Sequence, residues 1–215
     1  SFEADIRNSS IESQKLAINE MCKENFCVRV GSNPKNELKI DNKNFVDYSF
    51  SKYRNELNDL YIMNRCRFLV STGSGIEQLA LLFRKPIVQV NSTENEYRFN
   101  PLFNSLYKLY IPKKIFSKIK GRILTFSEIF EIGAHNLEKT SDYKKRNLEL
   151  IDNTPEEIRD VICEMNLRMN NKWMESKEDE DLQKRYWDIN FFKGMPKFEC
   201  RIGSDYLKNN INLLN

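Results

Sequence analysis

The fold class is indicated by one stretch of sequence, Arg67-Phe68-Leu69-Val70-Ser71-Thr72-Gly73-Ser74-Gly75-Ile76-Glu77-Gln78-Leu79-Ala80. Residues 67–70 predict a buried strand, and the small residues 71–75 predict a tight turn. Residues 76–83 then predict a helix. A strand that turns directly into a helix is the repeating unit of parallel α/β sheets, so this stretch sets the expectation for the rest of the chain.

Strands and helices alternate on both sides of this unit, at spacings that suit parallel crossovers. The further predicted elements are a helix over 9–24, strands over 26–30 and 45–48, a helix over 53–65 and a strand over 86–90. The apolar face of the helix over 53–65 consists of Leu57, Leu60, Tyr61 and Met63. The sequence therefore predicts an α/β fold with a doubly wound, Rossmann-like parallel sheet flanked by helices.

The second half of the chain gives clearer signals for helices than for strands. Three signals indicate the same helix start: Thr154 as N-cap, Pro155 at the first helical position and Glu157 three residues after the cap. Thr125 and Glu128 have the same capping-box spacing. The predicted elements are a polar loop over 91–104, a strand over 106–111 and helices over 126–132, 154–173, 175–192 and 205–213. We therefore divide the chain into a Rossmann-like domain over 1–150 and a helical C-terminal region over 151–215 that packs on it.

The composition of the chain excludes several classes of protein. The 34 basic and 31 acidic residues leave a net charge of +3, without the concentrated basic stripe of a dedicated nucleic-acid binder. There is no run of about 18 apolar residues and no signal-peptide pattern, which predicts a soluble, cytoplasmic protein. The five cysteines are scattered and there is one histidine, so neither a disulfide framework nor a zinc site is indicated. The thiols are expected to be core residues.

The turn over 71–75 has the composition of a phosphate site. In a parallel sheet it lies at the carboxyl ends of the strands, where ligands bind. The next helix offers N–H groups, the glycines let a phosphate approach the backbone, and Ser71, Thr72 and Ser74 add hydroxyl donors. The turn lacks the lysine of a Walker A loop, and Gln78 stands where a dinucleotide fold has its third glycine. The alternative is a turn that needs small residues only to reverse the chain.

Other polar residues stand at the ends of predicted elements. Glu77, in the first turn of its helix, either caps the helix or binds a ribose hydroxyl. Arg29, just before Gly31 in an otherwise apolar strand, is either paired structurally or aimed at a phosphate. Asp47, Tyr48 and Ser49 end the next extended segment and are expected on the same sheet edge, where their backbone and side-chain groups would read a nucleobase.

A series of short segments carries a resemblance over most of the chain. The segments are residues 5–11, 28–32, 45–48, 58–61, 65–75, 84–91, 110–114, 124–129 and 201–207. Taken in order, they resemble a family of bacterial glycosyltransferases that build surface polysaccharide, and they are more distantly similar to fucosyltransferases. Several matches in a fixed order are more specific than any one motif.

The resemblance implies the C-terminal, donor-binding half of a GT-B glycosyltransferase, with a nucleotide-sugar-binding domain over 1–150. The turn over 71–75 would hold the donor diphosphate, residues 47–49 (Asp47 to Ser49) would border the base, and Glu77 would face the ribose or the sugar. The implied partners are a nucleotide sugar as substrate and a glycan or lipid-linked glycan as acceptor, at a cytoplasmic or inner-membrane-face location. No metal or cofactor is implied, because helix dipoles and basic groups balance the leaving diphosphate. The implied donor-binding residues are Arg29, Gly31, Asp47, Tyr48, Ser71, Thr72, Gly73, Ser74, Gly75 and Glu77.

The sequence departs from the family pattern at its beginning. In that pattern a strand with a basic or histidine-type residue precedes the segment matching 5–8, and an N-terminal acceptor domain comes before it. The catalytic residue is therefore unassigned, with Glu77 as the candidate. Two alternatives remain open: a nucleotide-sugar-binding module without turnover, and a protein whose aromatic C-terminal helices dock a partner.

The remaining residues of interest have structural interpretations. His135 is interpreted as a polar cap after a short helix, with a catalytic base as the alternative. Lys113 and Lys114 are interpreted as a solvated edge, with attraction for diphosphate or anionic lipid as the alternative. The expected packing face of the C-terminal helices consists of Trp173, Trp187, Phe191 and Phe192.

Overall fold

Short strands and helices alternate along the chain. A computed structural model describes residues 5–32, 34–93, 108–189 and 200–215. The strands are β1 Cys27–Arg29, β2 Phe45–Asp47, β3 Leu69–Ser71, β4 Ile87–Ser92, β5 Lys108–Pro112, β6 Lys114–Ser117, β7 Arg122–Ile123, β8 Leu148–Ile151 and β9 Cys200–Ile202. The α-helices are α1 Lys15–Met21, α2 Glu56–Arg65, α3 Glu77–Leu82, α4 Phe126–Glu131, α5 Thr140–Lys145, α6 Pro155–Met169, α7 Lys177–Trp187 and α8 Ser204–Asn209.

The largest sheet within the described residues is parallel and runs in the order β3-β4-β5-β9. Leu69 lies beside Ile87, Ile87 beside Lys108, and Lys108 beside Cys200. Every residue of β4 and β5 is buried, as in parallel strands that helices cover. The predicted α/β fold, with a Rossmann-like parallel sheet flanked by helices, is confirmed.

Two smaller sheets accompany the parallel sheet. β1 and β2 form a parallel pair with Cys27 beside Phe45, and no strand in the described part of the chain joins this pair to β3. β6 pairs antiparallel with both β7 and β8. This antiparallel sheet was not predicted, because β6, β7 and β8 are each four residues or fewer and too short to show alternation.

The two predicted capping boxes are present, and they confirm where these two helices begin. Thr154 accepts the N–H of Glu157 and the carboxylate of Glu157 accepts the N–H of Thr154, and Thr125 forms the same box with Glu128. α6 ends before the predicted Trp173, because the chain turns at Asn171 with a left-handed φ of 55°. The predicted strand over 106–111 corresponds to β5; residues 106 and 107, Phe191 and Phe192 lie outside the described residues.

The predicted apolar face of α2 is wrong. Leu57 is 75% exposed and Tyr61 is 59% exposed, and Leu60 is also exposed. Only Met63 is buried, in a small cluster with Leu69 and the neighbouring residues of α3 and β4. α2 packs on α3 along one narrow side, so tertiary contact and not apolar periodicity decides which side is buried.

A pair of buried asparagines joins the carboxyl end of β4 to the start of α6. The N–H of Asn91 donates to Asn153 Oδ1 at 2.6 Å, and the N–H of Asn153 donates to Asn91 Oδ1 at 2.6 Å. Asn153 Nδ2 also donates to the carbonyl of Pro112 at the end of β5, at 2.8 Å. Asn91 has a left-handed φ of 51°, and the register of β4 with β5 shifts between Gln89 and Ser92. The irregularity of β4 therefore coincides with the amide pair.

The last described segment completes the parallel sheet. β9 lies beside β5, so residues after 150 contribute a strand as well as helices. Gly203, which follows β9, allows a close approach, because a Cβ there would lie 3.0 Å from Ile111 Cγ2 and 3.1 Å from Val161 Cγ2. Buried Glu164 on α6 accepts the N–H of Ser204 at 2.7 Å, which fixes the start of α8 on α6.

Removing the Asn153 amide should destabilise the fold strongly. Asn153→Ala leaves the N–H of Asn91 without its acceptor in a buried site and removes one of the two donors to the carbonyl of Pro112, which Tyr206 also binds. We therefore expect a loss of about 1 to 3 kcal/mol in the free energy of unfolding. Asn136→Ala, at an exposed position, is the control and should change it by less than about 0.5 kcal/mol. Urea denaturation measures both, and equal effects of the two variants would contradict the role of the amide pair.

Candidate functional site

The turn between β3 and α3 is held together by its own polar side chains. Ser71 Oγ accepts the N–H of Gly73 at 3.2 Å and the N–H of Ser74 at 3.3 Å. Glu77 Oε1 accepts the N–H of Gly73 at 3.1 Å, and Glu77 is 4% exposed. Gly73 has a φ of 84°, a conformation that favours glycine. The turn is therefore rigid before any ligand arrives.

These internal bonds decide which groups of the turn remain for a ligand. The N–H groups of Gly73 and Ser74 are engaged by side chains, whereas those of Gly75 and Ile76 have no acceptor in the described part of the chain. α3 has only six residues, so its dipole adds little to them. The Glu77 carboxylate binds the turn at Gly73, and α3 has no side-chain hydrogen bond at its N-cap.

An arginine that the sequence did not single out lies against the same turn. Arg7 Nη1 donates to the carbonyl of Gly73 at 2.6 Å, across 66 residues of sequence. Arg7 is exposed at the end of a 3-10 helix, Asp5–Arg7. No local pattern marks an isolated arginine as a site residue, so only its position within the resembling segment 5–11 could have indicated it.

Arg29 and Asp47 form a mostly buried ion pair at the ends of β1 and β2. Arg29 Nη1 lies 2.8 Å from Asp47 Oδ2, and the same nitrogen donates to the carbonyl of Asn36. Asp47 also accepts the N–H of Leu38 at 2.7 Å and the hydroxyl of Ser49. Burial raises the pKa of Asp47, but the hydrogen bonds from Ser49, Leu38 and Arg29 together hold it below its ordinary value. Arg29 is thus paired structurally with Asp47, which is one of the two roles predicted for it.

Tyr48 and Gly31 lie next to this pair. The Tyr48 hydroxyl accepts the N–H of Asn55 at 3.1 Å, and Tyr48 is buried. Asn55 in turn caps α2. Gly31 has a φ of 153°, and no atom lies within 4 Å of a Cβ built on it. Tyr48 therefore anchors α2, while Gly31 borders open space.

A cavity of about 690 Å³ brings part of the predicted site together. It lies between β1 and β3, with residues of α1 and α2 also in its wall, and its wall includes Arg29, Ser71, Thr72 and Ser74. Asp47, Tyr48 and Glu77 are not in the wall. Asp47 holds Arg29, which is in the wall, whereas Tyr48 binds Asn55 and Glu77 binds Gly73, which are not. On one side of the cavity the chain runs from β1 to its outer neighbour β2. On the other side it runs from β3 to β4 and then to β5, so the cavity lies where the strand order reverses. In doubly wound sheets ligands bind at this switch point.

The other residues of interest are engaged elsewhere in the fold. Lys113 Nζ lies 2.8 Å from Asp152 Oδ1 and donates to the carbonyl of Asn8 at 2.9 Å, and Lys114 pairs with Glu157. Both lysines are largely buried, so the interpretation as a solvated edge is wrong. His135 is buried, with Nδ1 3.5 Å from the carbonyl of Ile129 in α4.

The two tryptophans and the five cysteines differ in their surroundings. Trp187 packs against the main core and edge-on to Tyr186, whereas Trp173 lies under the guanidinium of Arg168, 4.8 Å from it. Cys22 and Cys200 are buried, and Cys27, Cys66 and Cys163 are half-buried free thiols. Within the described residues no cluster of three or more His, Cys, Asp or Glu side chains is placed to hold a metal ion.

Comparison of the chain with models of protein families, with curated proteins and with solved structures gave no match. A search of the described helices found none with the length and apolarity needed to cross a membrane. The function must therefore be inferred from the geometry of the residues at the switch point.

The Arg29–Asp47 pair should give the fold a specific pH dependence. Asp47→Asn leaves Arg29 charged and without its carboxylate, so we expect a loss of about 2 to 3 kcal/mol at pH 7. Because folding lowers the pKa of Asp47, the contribution is present above the unfolded pKa of about 4 and is lost as the pH falls through the lower folded pKa. Urea denaturation across this pH range should therefore show the difference from wild type shrinking below about pH 4.

Asp142→Asn is the control for this measurement, because its ion pair with Lys145 lies at the surface. It should change the free energy of unfolding by less than about 0.5 kcal/mol at each pH. A difference between wild type and Asp47→Asn that stays constant down to low pH would show that the carboxylate charge is not the source of the stabilisation.

Proposed function

We propose that this chain binds the diphosphate of a nucleotide sugar at the turn over 71–75 and forms the donor-binding half of a GT-B glycosyltransferase. The observation that carries the proposal is the position of the turn, at the carboxyl end of β3 and beside the cavity where the strand order reverses. The ordered resemblance to surface-polysaccharide glycosyltransferases supports the same function.

The groups around the turn suit a diphosphate. The N–H groups of Gly75 and Ile76 are available to phosphate oxygens, and the exposed guanidinium of Arg7 supplies a positive charge beside Gly73. Arg29 is held by Asp47 and serves as a fixed charge in the cavity wall. Because the turn is already ordered by Ser71 and Glu77, binding costs little conformational entropy.

The reaction follows from this arrangement. An acceptor hydroxyl of a glycan or lipid-linked glycan attacks the anomeric carbon and gives its proton to a general base on the acceptor domain. The bond to the diphosphate breaks, and the nucleoside diphosphate leaves with its negative charge stabilised by the turn and Arg7. The acceptor is held by a separate N-terminal domain. A cytoplasmic position, peripheral to the inner membrane face, suits a lipid-linked acceptor.

A second candidate function is a nucleotide-sugar-binding module without turnover. The observation that favours it is the engagement of both carboxylates near the turn: Glu77 is buried on the N–H of Gly73, and Asp47 is paired with Arg29. A general base must be able to reach the attacking hydroxyl. In this chain Glu77 orders the turn, so a base would come from another domain.

Calorimetry with uridine, guanosine, thymidine and cytidine nucleotides and their sugars tests the proposal. We expect one nucleotide family to bind, and Arg7→Gln to weaken it by about tenfold or more, because a charge-assisted hydrogen bond is lost. Ser74→Ala should weaken binding by less, since Ser74 contributes one hydroxyl.

Two matched variants serve as controls for the binding experiment. Arg185→Gln and Ser141→Ala change exposed residues of α7 and α5 and should bind like the wild type. Binding that Arg7→Gln and Ser74→Ala leave unchanged would exclude the turn as the site. Turnover of the bound nucleotide sugar with added glycan acceptor would separate the enzyme from the binding module.

A further inference from the structure

The apolar row of α2 faces solvent. Leu57, Leu60 and Tyr61 are exposed, although they have the i, i+3 and i+4 spacing with which a helix usually packs against a core. The opposite side of the helix carries Met63, which is buried against the protein. An exposed apolar row of this kind is typical of a surface that meets another molecule.

A second tyrosine extends this row at the start of the helix. Tyr53 is 67% exposed, and its carbonyl accepts Asn58 Nδ2 at 2.8 Å, which fixes it to the first turn of α2. Tyrosine is enriched in protein interfaces, because its ring offers a large contact area with few rotatable bonds. We call Tyr53, Leu57, Leu60 and Tyr61 the α2 surface.

Two opposite charges stand at the ends of α2. Glu56 is the first residue of the helix and Arg65 is the last, and both are exposed. In the described part of the chain neither of them forms an ion pair, whereas Asp59 between them lies 3.7 Å from Arg54. The Arg65 guanidinium lies 5.7 Å from the centroid of the Tyr61 ring. The α2 surface therefore runs from a negative end to a positive end.

Such a helix is complementary to a second copy of itself in the antiparallel orientation. A twofold axis that passes α2 between Leu60 and Tyr61 brings Leu60 of one copy to the level of Tyr61 of the other. The same axis brings Glu56 of each copy to the level of Arg65 of the other, so opposite charges meet at both ends. A parallel pair would instead place like charges at the same level.

The charges around α2 favour a second copy over a lipid bilayer. Residues 52–65 carry three basic and two acidic side chains. Anionic lipid is bound by clusters of about four to eight basic residues, which this mixed segment does not form. A helix about 15 Å long and about 10 Å wide also presents far less than the roughly 800 Å² per partner of a stable interface. The association is therefore expected to be weak and to depend on concentration.

We infer that the α2 surface is the contact of a weak homodimer, in which the α2 helices of two copies pack antiparallel about a twofold axis. Tyr61 and Arg65 also stand in the wall of the cavity between β1 and β3, so the second copy borders that cavity. The inference concerns the surface of α2 and does not depend on the proposed donor site.

The mass of the 215-residue protein in solution tests the inference. Sedimentation velocity without nucleotide, from about 1 μM to about 1 mM protein, measures the approach to twice the mass of one chain. Leu57→Ser removes an exposed apolar side chain from both copies, so we expect it to weaken dimerisation by at least about tenfold. Ile119→Ser, at a similarly exposed residue between β6 and β7, is the matched control and should dimerise like the wild type.

Charge reversal tests the orientation of the pair. Glu56→Arg alone, or Arg65→Glu alone, brings like charges to the same level at both ends, so each should weaken the dimer by at least about threefold. The double variant Glu56→Arg/Arg65→Glu restores opposite charges and should regain most of the lost affinity. Glu178→Arg reverses an exposed acid in the first turn of α7 and should leave the dimer unchanged. Circular dichroism at the lowest concentration checks that each variant is folded.

Four results would overturn the inference. A protein that keeps the mass of one chain up to about 1 mM has no such contact. A dimer that Leu57→Ser leaves unchanged uses another surface. Single charge reversals without effect, or a double variant no tighter than either single variant, exclude the antiparallel arrangement. A monomer that binds anionic phospholipid vesicles and loses this binding with Leu57→Ser has a bilayer as the occupant of its α2 surface.

Discussion

The reciprocal hydrogen bonds between Asn91 and Asn153 hold the carboxyl edge of the parallel sheet in one arrangement. The same two side chains satisfy the backbone where β4 leaves its regular register, bind the end of β5 through Pro112, and place Thr154 to begin α6. α6 then provides the surface on which α1 and α8 pack. In this buried site no water replaces the acceptors of the Asn91 and Asn153 N–H groups, so one amide pair couples the sheet to the helices that pack on it.

The candidate site follows a related principle, because its charged side chains are bound before a ligand is present. Glu77 orders the turn after β3, Asp47 fixes Arg29, and Tyr48 holds the start of α2. The groups that remain are backbone N–H groups and the guanidinium of Arg7. In the part of the site that the structure describes, the carboxylates of Glu77 and Asp47 are therefore both engaged in holding the backbone or an ion pair.

Local chemistry determined how much the sequence could predict. Capping residues such as Thr125 and Thr154, and the turn after β3, carry signals within a few residues, and these elements were predicted correctly. Other features depend on residues distant in sequence and could not be predicted. They are the exposure of Leu57 and Tyr61, the short strands β6 to β9 and the contact of Arg7 with Gly73. At the site, the partners of Arg29 and Glu77 could not be predicted, because Asp47 lies on another strand and Gly73 lies across the turn.

The position of β9 has a consequence for how the protein folds. β9 begins at Cys200 and pairs with β5 at Lys108, and Gly203 then fits closely against Ile111 and Val161. The edge of β5 that pairs with β9 thus stays open until Cys200 and the residues after it have been synthesised, and its closure requires a contact of long sequence separation. Such contacts form slowly, and an exposed strand edge favours association with other chains in the meantime. The arrival of β9 therefore governs how long this edge of the nascent protein is vulnerable to aggregation.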